Sequence, residues 1–292
     1  MTQARSIGII GVGRLGSCLA RALHEAKLPL TVLASARLER AAALCTELGA
    51  QTRAVAVTEI TQHAELIFLA VPDASVPDVS GQLPLTAAHA LVHMSGALDL
   101  GVLAPAAARG AQVGVLHPLQ AFPPGAGAER LRGIHAGVDA AEPALAAELQ
   151  ELVRALGATA FSLQGVDRPA YHAAAVLVSN CVVALHAAAA RAWTLAGLPA
   201  ESARAALAPL TAGAALAIAH NPLPLALTGP VARGDSATVA GHLRALSGDL
   251  PLSALYRALA RELLALPLPL APEARAALEA LCAEPGAQHP VV

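Results

Sequence analysis

A glycine-rich turn close to the amino terminus constrains the fold of this chain more than any other feature. Residues 6–10 form a short apolar run that predicts a strand, GVGRLG follows with the spacing G-x-G-x-x-G, and a helical pattern begins at once. Strand, turn and helix in this order are typical of a dinucleotide-binding unit, in which backbone N–H groups and the helix N-terminus receive a pyrophosphate. The alternative is a turn without a ligand. We predict that six residues contact a dinucleotide: Gly11, Val12, Gly13, Arg14, Leu15 and Gly16.

Apolar runs and helical patterns alternate along the first half of the chain. Runs typical of buried strands lie at 28–35, 65–71, 90–96, 111–118, 135–140 and 158–163, and helical patterns lie between several of them. This rhythm predicts βαβ units and a parallel sheet. After Gly165 only helical patterns follow, at about 169–196, 200–219, 235–247, 251–265 and 272–283. The predicted fold is therefore α/β, with an N-terminal Rossmann doubly wound parallel sheet (1–165) followed by an all-α C-terminal domain (166–292).

The end of the second predicted strand indicates which dinucleotide binds. NAD-binding proteins usually place Asp or Glu there, where the carboxylate accepts from the ribose 2′-hydroxyl. This chain has Ser35 and Arg37 instead, with Arg40 one turn further on. A guanidinium can bind a 2′-phosphate through two hydrogen bonds, so the sequence favours NADP over NAD. The alternative is that Arg37 and Arg40 lie on a solvated helix face, since Glu39 stands between them.

Three later strands end in residues that can reach the same crevice. Val71, Pro72 and Asp73 end one strand, and we expect their backbone to lie beside the cofactor ribose. Ser95 and His117 stand at the ends of the next two strands, where a nicotinamide and a substrate would meet. Histidine suits proton transfer because its pKa lies near 6.5. His117 is therefore a candidate proton donor, and the alternative is a turn histidine that only caps its strand.

Two further candidates follow the predicted domain boundary. His172 opens a long helical pattern in which Ser179 falls nearly in line with it and Asn180 on the adjoining side. This polar stripe predicts a pocket, or hydrogen bonds between helices of a dimer core. Arg233 precedes a helix for which Asp235 or Ser236 is the predicted N-cap, and it could hold a substrate carboxylate. The alternative for Arg233 is a structural turn with its cap.

Composition excludes some partners and compartments. Charged residues make up 14% and aromatic residues 2%, with a net charge of -2, so the chain lacks the basic surface and stacking side chains of a nucleic-acid-binding protein. The four cysteines have neither CxxC spacing nor a metal-ligand pattern, which predicts free thiols and no metal site. No apolar signal region precedes the first strand, and we predict a cytoplasmic protein.

Mean hydropathy is +0.56, and residues 169–190 and 205–232 lack Asp, Glu, Lys and Arg. The first stretch is long enough to span a bilayer but carries histidine, serine and asparagine, and the second contains four prolines. Strong Lys/Arg clusters and aromatic belts do not flank either stretch. We predict buried helices in the core of a homodimer rather than membrane spans.

With these residues in view, the chain resembles a family of Rossmann-like oxidoreductases that carry a C-terminal helical domain of unknown function. The resemblance covers nearly the whole chain and rests on GVGRLG, VPD (71–73), HPLQAF (117–122), YHAAAVLVSN (171–180) and TGPVARGD (228–235). The family is related to pyrroline-5-carboxylate reductase, ketopantoate reductase and the 6-phosphogluconate dehydrogenase superfamily. The resemblance implies a helical C-terminal domain that dimerises. His117-Pro118 is also similar to the His-Pro of prephenate and arogenate dehydrogenases, whose histidine contacts the substrate.

The chain departs from these relatives at two positions. Many hydroxyacid dehydrogenases of that superfamily have Lys-x-x-x-Asn on the first long helix, whereas the fourth residue after His172 is Val176. Arg168 stands where the resemblance implies a lysine. Either histidine replaces the missing pair or the chemistry differs.

These observations give three hypotheses. The first is an NADP-dependent oxidoreductase that transfers a hydride between the nicotinamide and a small carboxylate-bearing 2-oxo acid or imine, and the resemblance makes ketopantoate one candidate. His117 and His172 would handle the proton, Ser95 and Asn180 would orient the acceptor, and Arg233 would hold the carboxylate. The second hypothesis is a non-catalytic NADP-binding sensor or scaffold, and the third is a deazaflavin-dependent reductase. The partners expected are a small-molecule substrate and a second copy of the chain, without nucleic acid or membrane.

Overall fold

A computed structural model describes residues 5–49 and 51–283. The strands of this part of the chain form one sheet in the order β3-β2-β1-β4-β5-β6-β7-β8. Their bounds are β1 Ile7–Ile10, β2 Leu30–Ala34, β3 Arg53–Val55, β4 Leu66–Leu69, β5 Ala90–His93, β6 Gln112–Pro118, β7 His135–Ala140 and β8 Thr159–Ser162. The predicted fold class is confirmed, since a mostly parallel sheet of Rossmann type is followed by a helical region.

Helices cover both faces of the sheet. Every residue of β1, β4 and β5 is buried, which is the pattern of strands in a sheet covered on both sides. Ile9 packs with Leu19 and Phe68 in one apolar cluster, whereas Ile10 packs with Ile67 in another, because consecutive strand residues point to opposite faces. The first six α-helices of the chain are α1 Arg14–Glu25, α2 Leu38–Leu48, α3 Val76–Gln82, α4 Ala104–Ala107, α5 Pro143–Ala155 and α6 Arg168–Val178.

One strand pair differs from the parallel sheet that the sequence predicts. β6 and β7 pair antiparallel, with His117 opposite Gly137, while β7 and β8 pair parallel with α5 between them. A parallel pair needs a long crossover, usually a helix. Residues 119–134 supply only a single 3-10 turn, at Ala128–Leu131, so the chain returns antiparallel.

Backbone contacts divide the chain into a first unit that ends at Leu177 and a second unit that begins at Val178. The boundary that we predicted between 165 and 166 stays a prediction. The second unit contains α7 Asn180–Leu195, α8 Ala200–His220, α9 Leu223–Ala226, α10 Pro230–Arg233, α11 Ser236–Ala245, α12 Leu250–Leu264 and α13 Pro272–Cys282.

The expectation of one uninterrupted helix over 169–196 is wrong. The backbone of Ser179 leaves the helical region at φ -122° and ψ -78°, and its hydroxyl donates to Asn180 Oδ1 at 3.0 Å. Serine and asparagine side chains compete with the helical backbone for hydrogen bonds, which favours an interruption at this pair. The stripe that we extrapolated from His172 through Ser179 therefore does not follow an ideal helix.

The second unit has a small core and a large exposed apolar surface. Val231, Val239, Leu243, Leu264 and Leu278 are buried among α10–α13. By contrast, α8 buries only Ala203. The stretches Arg168–Leu195 and Ala200–His220 are long and apolar enough to cross a membrane by length and composition alone. The large exposed apolar residues of the helices that form this surface are Val183, Leu195, Leu210, Leu216, Ile218, Leu223 and Leu225.

The cysteines have the state that the sequence predicts. All four are free thiols. Cys18, Cys45 and Cys282 are buried, and Cys181 is partly buried.

Candidate active site

The glycine-rich turn leads from β1 into α1 with three glycines in different surroundings. Gly11 has φ +98°, and its N–H donates to Ala34 O at 2.8 Å. A Cβ on Gly16 would overlap the carbonyl oxygen of Gly11, so this residue permits close packing of helix on strand. A Cβ on Gly13 would meet nothing within 4 Å. The turn is therefore tightly packed at Gly11 and Gly16, whereas the space at Gly13 is open, on the side where a pyrophosphate would approach.

A cleft of about 310 Å³ lies at this turn. Its lining includes Gly13, Arg14 and Arg40, and the first turn of α1 contains no acidic residue. Backbone N–H groups at a helix N-terminus and nearby guanidinium groups attract anions. A larger cleft of about 570 Å³ at Arg5, Ser6 and 61–65 lies at the opposite edge, where the strands begin. Ligands of open parallel sheets bind beyond the carboxyl ends of the strands, which favours the first cleft.

The predicted 2′-phosphate ligands lie where β2 ends. Arg37 is the N-cap residue of α2, and its N–H donates to Ser35 Oγ at 3.2 Å. The side chains of Arg37 and Arg40 are exposed. Since Ile10 of β1 pairs with Ala34 of β2, these groups follow a strand next to the one that leads into the glycine-rich turn. Their contact with a cofactor stays a prediction.

A hydrogen-bonded group connects the ends of β4 and β5. Ser95 is buried, and its hydroxyl donates to Asp73 Oδ2 at 2.6 Å. Ser95 Oγ also accepts from the N–H groups of Ala97 and Leu98, at 3.1 and 3.2 Å. The structure thus brings together two residues that the sequence predicted separately, for substrate and for cofactor. The role of Ser95 in orienting a substrate stays a prediction, as do the cofactor contacts of Val71, Pro72 and Asp73.

His93 contacts this group and was not predicted from the sequence. It is fully buried in β5, with Nδ1 accepting from the N–H of Ser95 at 3.3 Å and Nε2 3.1 Å from Asp99 O. A carbonyl oxygen only accepts, so Nε2 carries the proton. Burial lowers the pKa of His93, which keeps the ring neutral. His93 therefore holds the turn that contains Ser95.

Three ring side chains meet at the turn after β5. His117 Nδ1 lies 2.6 Å from the Tyr171 hydroxyl, and the rings of His117 and His172 are 6.3 Å apart. A Cβ on Gly96 would lie 2.8 Å from His117 Nε2 and 3.0 Å from His172 Nδ1. His172 Nδ1 is buried and has no hydrogen-bond partner among the described residues. His117 Nε2 and His172 Nδ1 therefore both lie next to one small residue at the carboxyl edge of the sheet.

The electrostatics of this cluster favour a neutral His117. Burial lowers the pKa of His117 to about 4, and the charges of His172 and Arg168 lower it further, while Asp73 opposes them. Burial raises the pKa of Tyr171, and Arg168 opposes this shift. At neutral pH the pair is an uncharged imidazole and an uncharged phenol.

A buried ion pair holds the start of α6 against the sheet. Arg168 Nη2 donates to Asp139 Oδ2 of β7 at 2.9 Å, and the Arg168 side chain is 4% exposed. Arg168 Nη1 is buried without a hydrogen-bond partner among the described residues. Since Tyr171 and His172 follow within one turn, this ion pair positions both rings. Local sequence patterns carry no signal for an ion pair whose partners are 29 positions apart.

Two predicted site residues belong to the second unit. Asn180 is the first residue of α7 and exposed, and Arg233 is the exposed last residue of α10. Asp235 caps α11 by accepting from the Thr238 N–H at 3.0 Å, which confirms one of the two predicted caps. The roles of Asn180 and Arg233 towards a substrate stay predictions.

Comparisons with known proteins agree with this architecture. Residues 1–118 match a Rossmann-like domain, and residues 134–263 match a domain of unknown function, DUF2520. No curated protein matches the sequence.

Solved structures share the fold over almost the whole chain. A Bacteroides fragilis protein assigned as an NADP oxidoreductase is 24% identical, with a TM-score of 0.72 over 89% of this chain and 97% of its own. A Thermotoga maritima protein is 25% identical, with a TM-score of 0.68 over 88% and 96%. The 1-pyrroline-5-carboxylate reductase of Streptococcus pyogenes is 18% identical, with a TM-score of 0.63 over 90% and 99%. The chain therefore combines a match to the Rossmann-like domain with a match to this C-terminal domain of unknown function, in the order that its motifs predict.

Proposed function

We propose that this protein is an NADP-dependent oxidoreductase that transfers a hydride between the nicotinamide and a small carboxylate-bearing 2-oxo acid or imine. The observation that carries the proposal is the cluster of His117, Tyr171 and His172 around Gly96. It lies at the carboxyl edge of the sheet whose first strand leads into the glycine-rich turn. The names of similar structures, an NADP oxidoreductase and a 1-pyrroline-5-carboxylate reductase, support the same class of reaction.

The chain has the groups that NADP requires. The open side of Gly13 and the start of α1 would receive the pyrophosphate, and Ser35 with Arg37 would bind the 2′-phosphate. Val71, Pro72 and Asp73 would contact the ribose. NADP, when bound, supplies or accepts the hydride.

The protein's own contribution is to position the substrate and to handle the proton. Reduction of C=O or C=N needs a proton at the oxygen or nitrogen as the carbon receives the hydride. His117 Nε2 and His172 Nδ1 are the nitrogens aimed at the turn where the acceptor would lie. Asn180 and Ser95 would orient the acceptor, and Arg233 would bind the carboxylate.

We further propose a cytoplasmic homodimer formed through the C-terminal helices. Its support is the set of large apolar side chains that α7–α9 leave exposed, since exposed apolar patches mark interaction sites. Pro209 within α8 and the polar residues at Ser179 and Asn180 favour contact with a second chain over contact with lipid. Sedimentation in detergent-free buffer should give a soluble dimer, and a requirement for detergent would contradict the proposal.

The first test is cofactor binding. We expect the fluorescence of NADPH to change on binding, with affinity at least about tenfold higher than for NADH, because a bidentate phosphate–guanidinium contact contributes more than about 1.4 kcal/mol. Arg37→Ala should abolish the preference, while Arg53→Ala, at an exposed arginine of β3, should keep it. Equal affinity for both nucleotides would contradict the NADP assignment.

The second test is turnover. NADPH oxidation should be followed with a panel of 2-oxo acids, including ketopantoate, and cyclic imines bearing a carboxylate. Consumption of NADPH with a member of the panel supports the oxidoreductase. Tight NADPH binding without turnover would favour a sensor or scaffold, the alternative raised by Val176 in place of an asparagine. Failure of both nucleotides to bind would favour a deazaflavin.

A further inference from the structure

The contact between His117 and Tyr171 has a defined direction. A neutral imidazole has one N–H group, so His117 Nδ1 either accepts from the phenol or donates to it. Among the described residues, the Tyr171 hydroxyl has no acceptor other than His117 Nδ1, at 2.6 Å. A phenol that donates to Nδ1 leaves the imidazole proton on Nε2. That nitrogen belongs to the ring edge that faces Gly96.

We propose that Tyr171 is a positioning residue that holds the proton of His117 on Nε2 and replaces it when His117 protonates the substrate. The inference rests on the proposed function. As the substrate carbon gains the hydride, the Nε2–H bond breaks and an O–H or N–H bond forms on the substrate. The phenol proton moves to Nδ1, so the imidazole stays neutral and Tyr171 becomes a phenolate. The Nδ1 proton then returns to the phenolate, and solvent water protonates Nε2, which restores the starting tautomer of His117.

The surroundings of Tyr171 suit this task. Burial raises the pKa of Tyr171, and the charge of the Arg168 guanidinium three residues earlier, which is buried with Asp139, opposes that shift. Phe161 of β8 packs against the Tyr171 ring at 6.1 Å, so the phenol is held by its ring as well as by its hydroxyl. Replacing Tyr171 by phenylalanine should therefore remove the proton and keep the packing.

This arrangement assigns different tasks to the two histidines. A His117 that donated as an imidazolium would need its proton at neutral pH, but burial lowers its pKa to about 4. The phenol removes that requirement, because the ring never has to carry a charge. His172 Nδ1, which has no hydrogen-bond partner among the described residues, is then free to bind the substrate itself.

The kinetic test compares Tyr171→Phe with Tyr256→Phe. Tyr256 is a matched control because its hydroxyl bonds His242 Nδ1 at 2.8 Å, in the second unit. With NADPH and the best substrate of the panel, Tyr171→Phe should lose about a hundredfold in kcat with KM within about twofold, as expected for loss of general acid catalysis. Tyr256→Phe should change kcat less than about twofold. An equal loss in both variants, or none in Tyr171→Phe, would overturn the inference.

The pH profile separates a proton relay from a structural role. The charged and titratable groups that act on His117 are Tyr171, His172 and Arg168 on α6, with Asp73 after β4 and His93 on β5. The wild-type kcat should stay level between about pH 6 and 9, since neither His117 nor Tyr171 changes charge there. Tyr171→Phe should instead lose activity progressively as the pH rises. Parallel profiles would overturn the inference.

A measurement without turnover tests the tautomer directly. In the wild-type protein, the ¹⁵N shifts of the His117 ring should show a protonated Nε2 and an unprotonated Nδ1, and Tyr171→Phe should give a mixture of tautomers. A wild-type proton on Nδ1 would refute the inference even if the enzyme turns over. Absence of turnover with the expected tautomer would instead count against the proposed function alone.

Discussion

The two units of this chain differ in how far they bury their ion pairs and their apolar side chains. In the first unit the Arg168–Asp139 ion pair is buried, and strands such as β1 and β4 expose none of their residues. In the second unit the Arg191–Asp249 ion pair is open to solvent, and α8 leaves Leu210 and other large apolar residues uncovered. The first unit buries its apolar strands within one chain, whereas the second leaves large apolar side chains exposed. Substitutions of the same kind should therefore have different effects in the two units.

The largest difference should come from the ion pairs. Arg168→Met leaves the Asp139 carboxylate buried without its partner, which typically costs about 3–5 kcal/mol of the free energy of unfolding. Arg191→Met should leave the urea midpoint almost unchanged, because exposed pairs contribute little and Asp249 still caps α12. Urea unfolding followed by circular dichroism measures both. Similar midpoints for the two variants would contradict the contrast between the units.

The glycines of the two units should differ next. The Cβ of Gly16→Ala would overlap the Gly11 carbonyl, so we expect a loss of about 2–3 kcal/mol from overpacking. Gly213 of α8 has nothing within 4 Å of its Cβ position, and Gly213→Ala should gain up to about 1 kcal/mol from helix propensity. Thermal unfolding of both variants gives the comparison. Destabilisation by Gly213→Ala would show that α8 is already covered tightly.

The pH dependence of stability should originate partly in the first unit. The pKa of His117 falls to about 4 in the folded protein, below its usual value near 6.5, because of burial. The unfolded chain therefore binds the proton more readily between these values, and stability is lost as the pH falls through that window. The loss should approach about 2–3 kcal/mol at pH 4. His117→Gln should show a smaller loss over the same range, and an unchanged pH dependence would contradict the assigned pKa.

Local patterns were sufficient to predict the sheet and the glycine-rich turn. The G-x-G-x-x-G spacing after an apolar run requires a particular backbone, and the strand ends at Ser95 and His117 follow from the apolar runs before them. The short β3 and the antiparallel pairing of β7 were not predicted, because three residues carry little pattern and pairing direction depends on how residues 119–134 return. The length of residues 119–134 did not by itself exclude a helical crossover from β6 to a parallel β7.

The site was less accessible to sequence reasoning than the fold. The position of His117 at a strand end was enough to predict it as a site residue. Its partner Tyr171 lies 54 positions away in the sequence, and Arg168 lies 29 positions from its partner Asp139. Such contacts depend on the angle at which α6 meets the sheet, and periodicity does not encode that angle. His93 was missed for another reason, since a buried histidine inside a strand looks like any other core position.

The smallest expected effect tests the surface that the second unit leaves exposed. Leu216 of α8 is 61% exposed in the single chain, and burying the equivalent of one methylene of that exposed part against a partner should contribute about 0.8 kcal/mol per chain. In a twofold-symmetric dimer the contact occurs twice, so Leu216→Ser should raise the dimer dissociation constant at least about tenfold. Leu38→Ser, at a 49% exposed leucine of α2 in the first unit, should leave it unchanged. Sedimentation equilibrium measures both constants. If Leu38→Ser weakened the dimer and Leu216→Ser did not, the interface would lie on the first unit. A different partner would then have to bury the apolar residues of α7–α9.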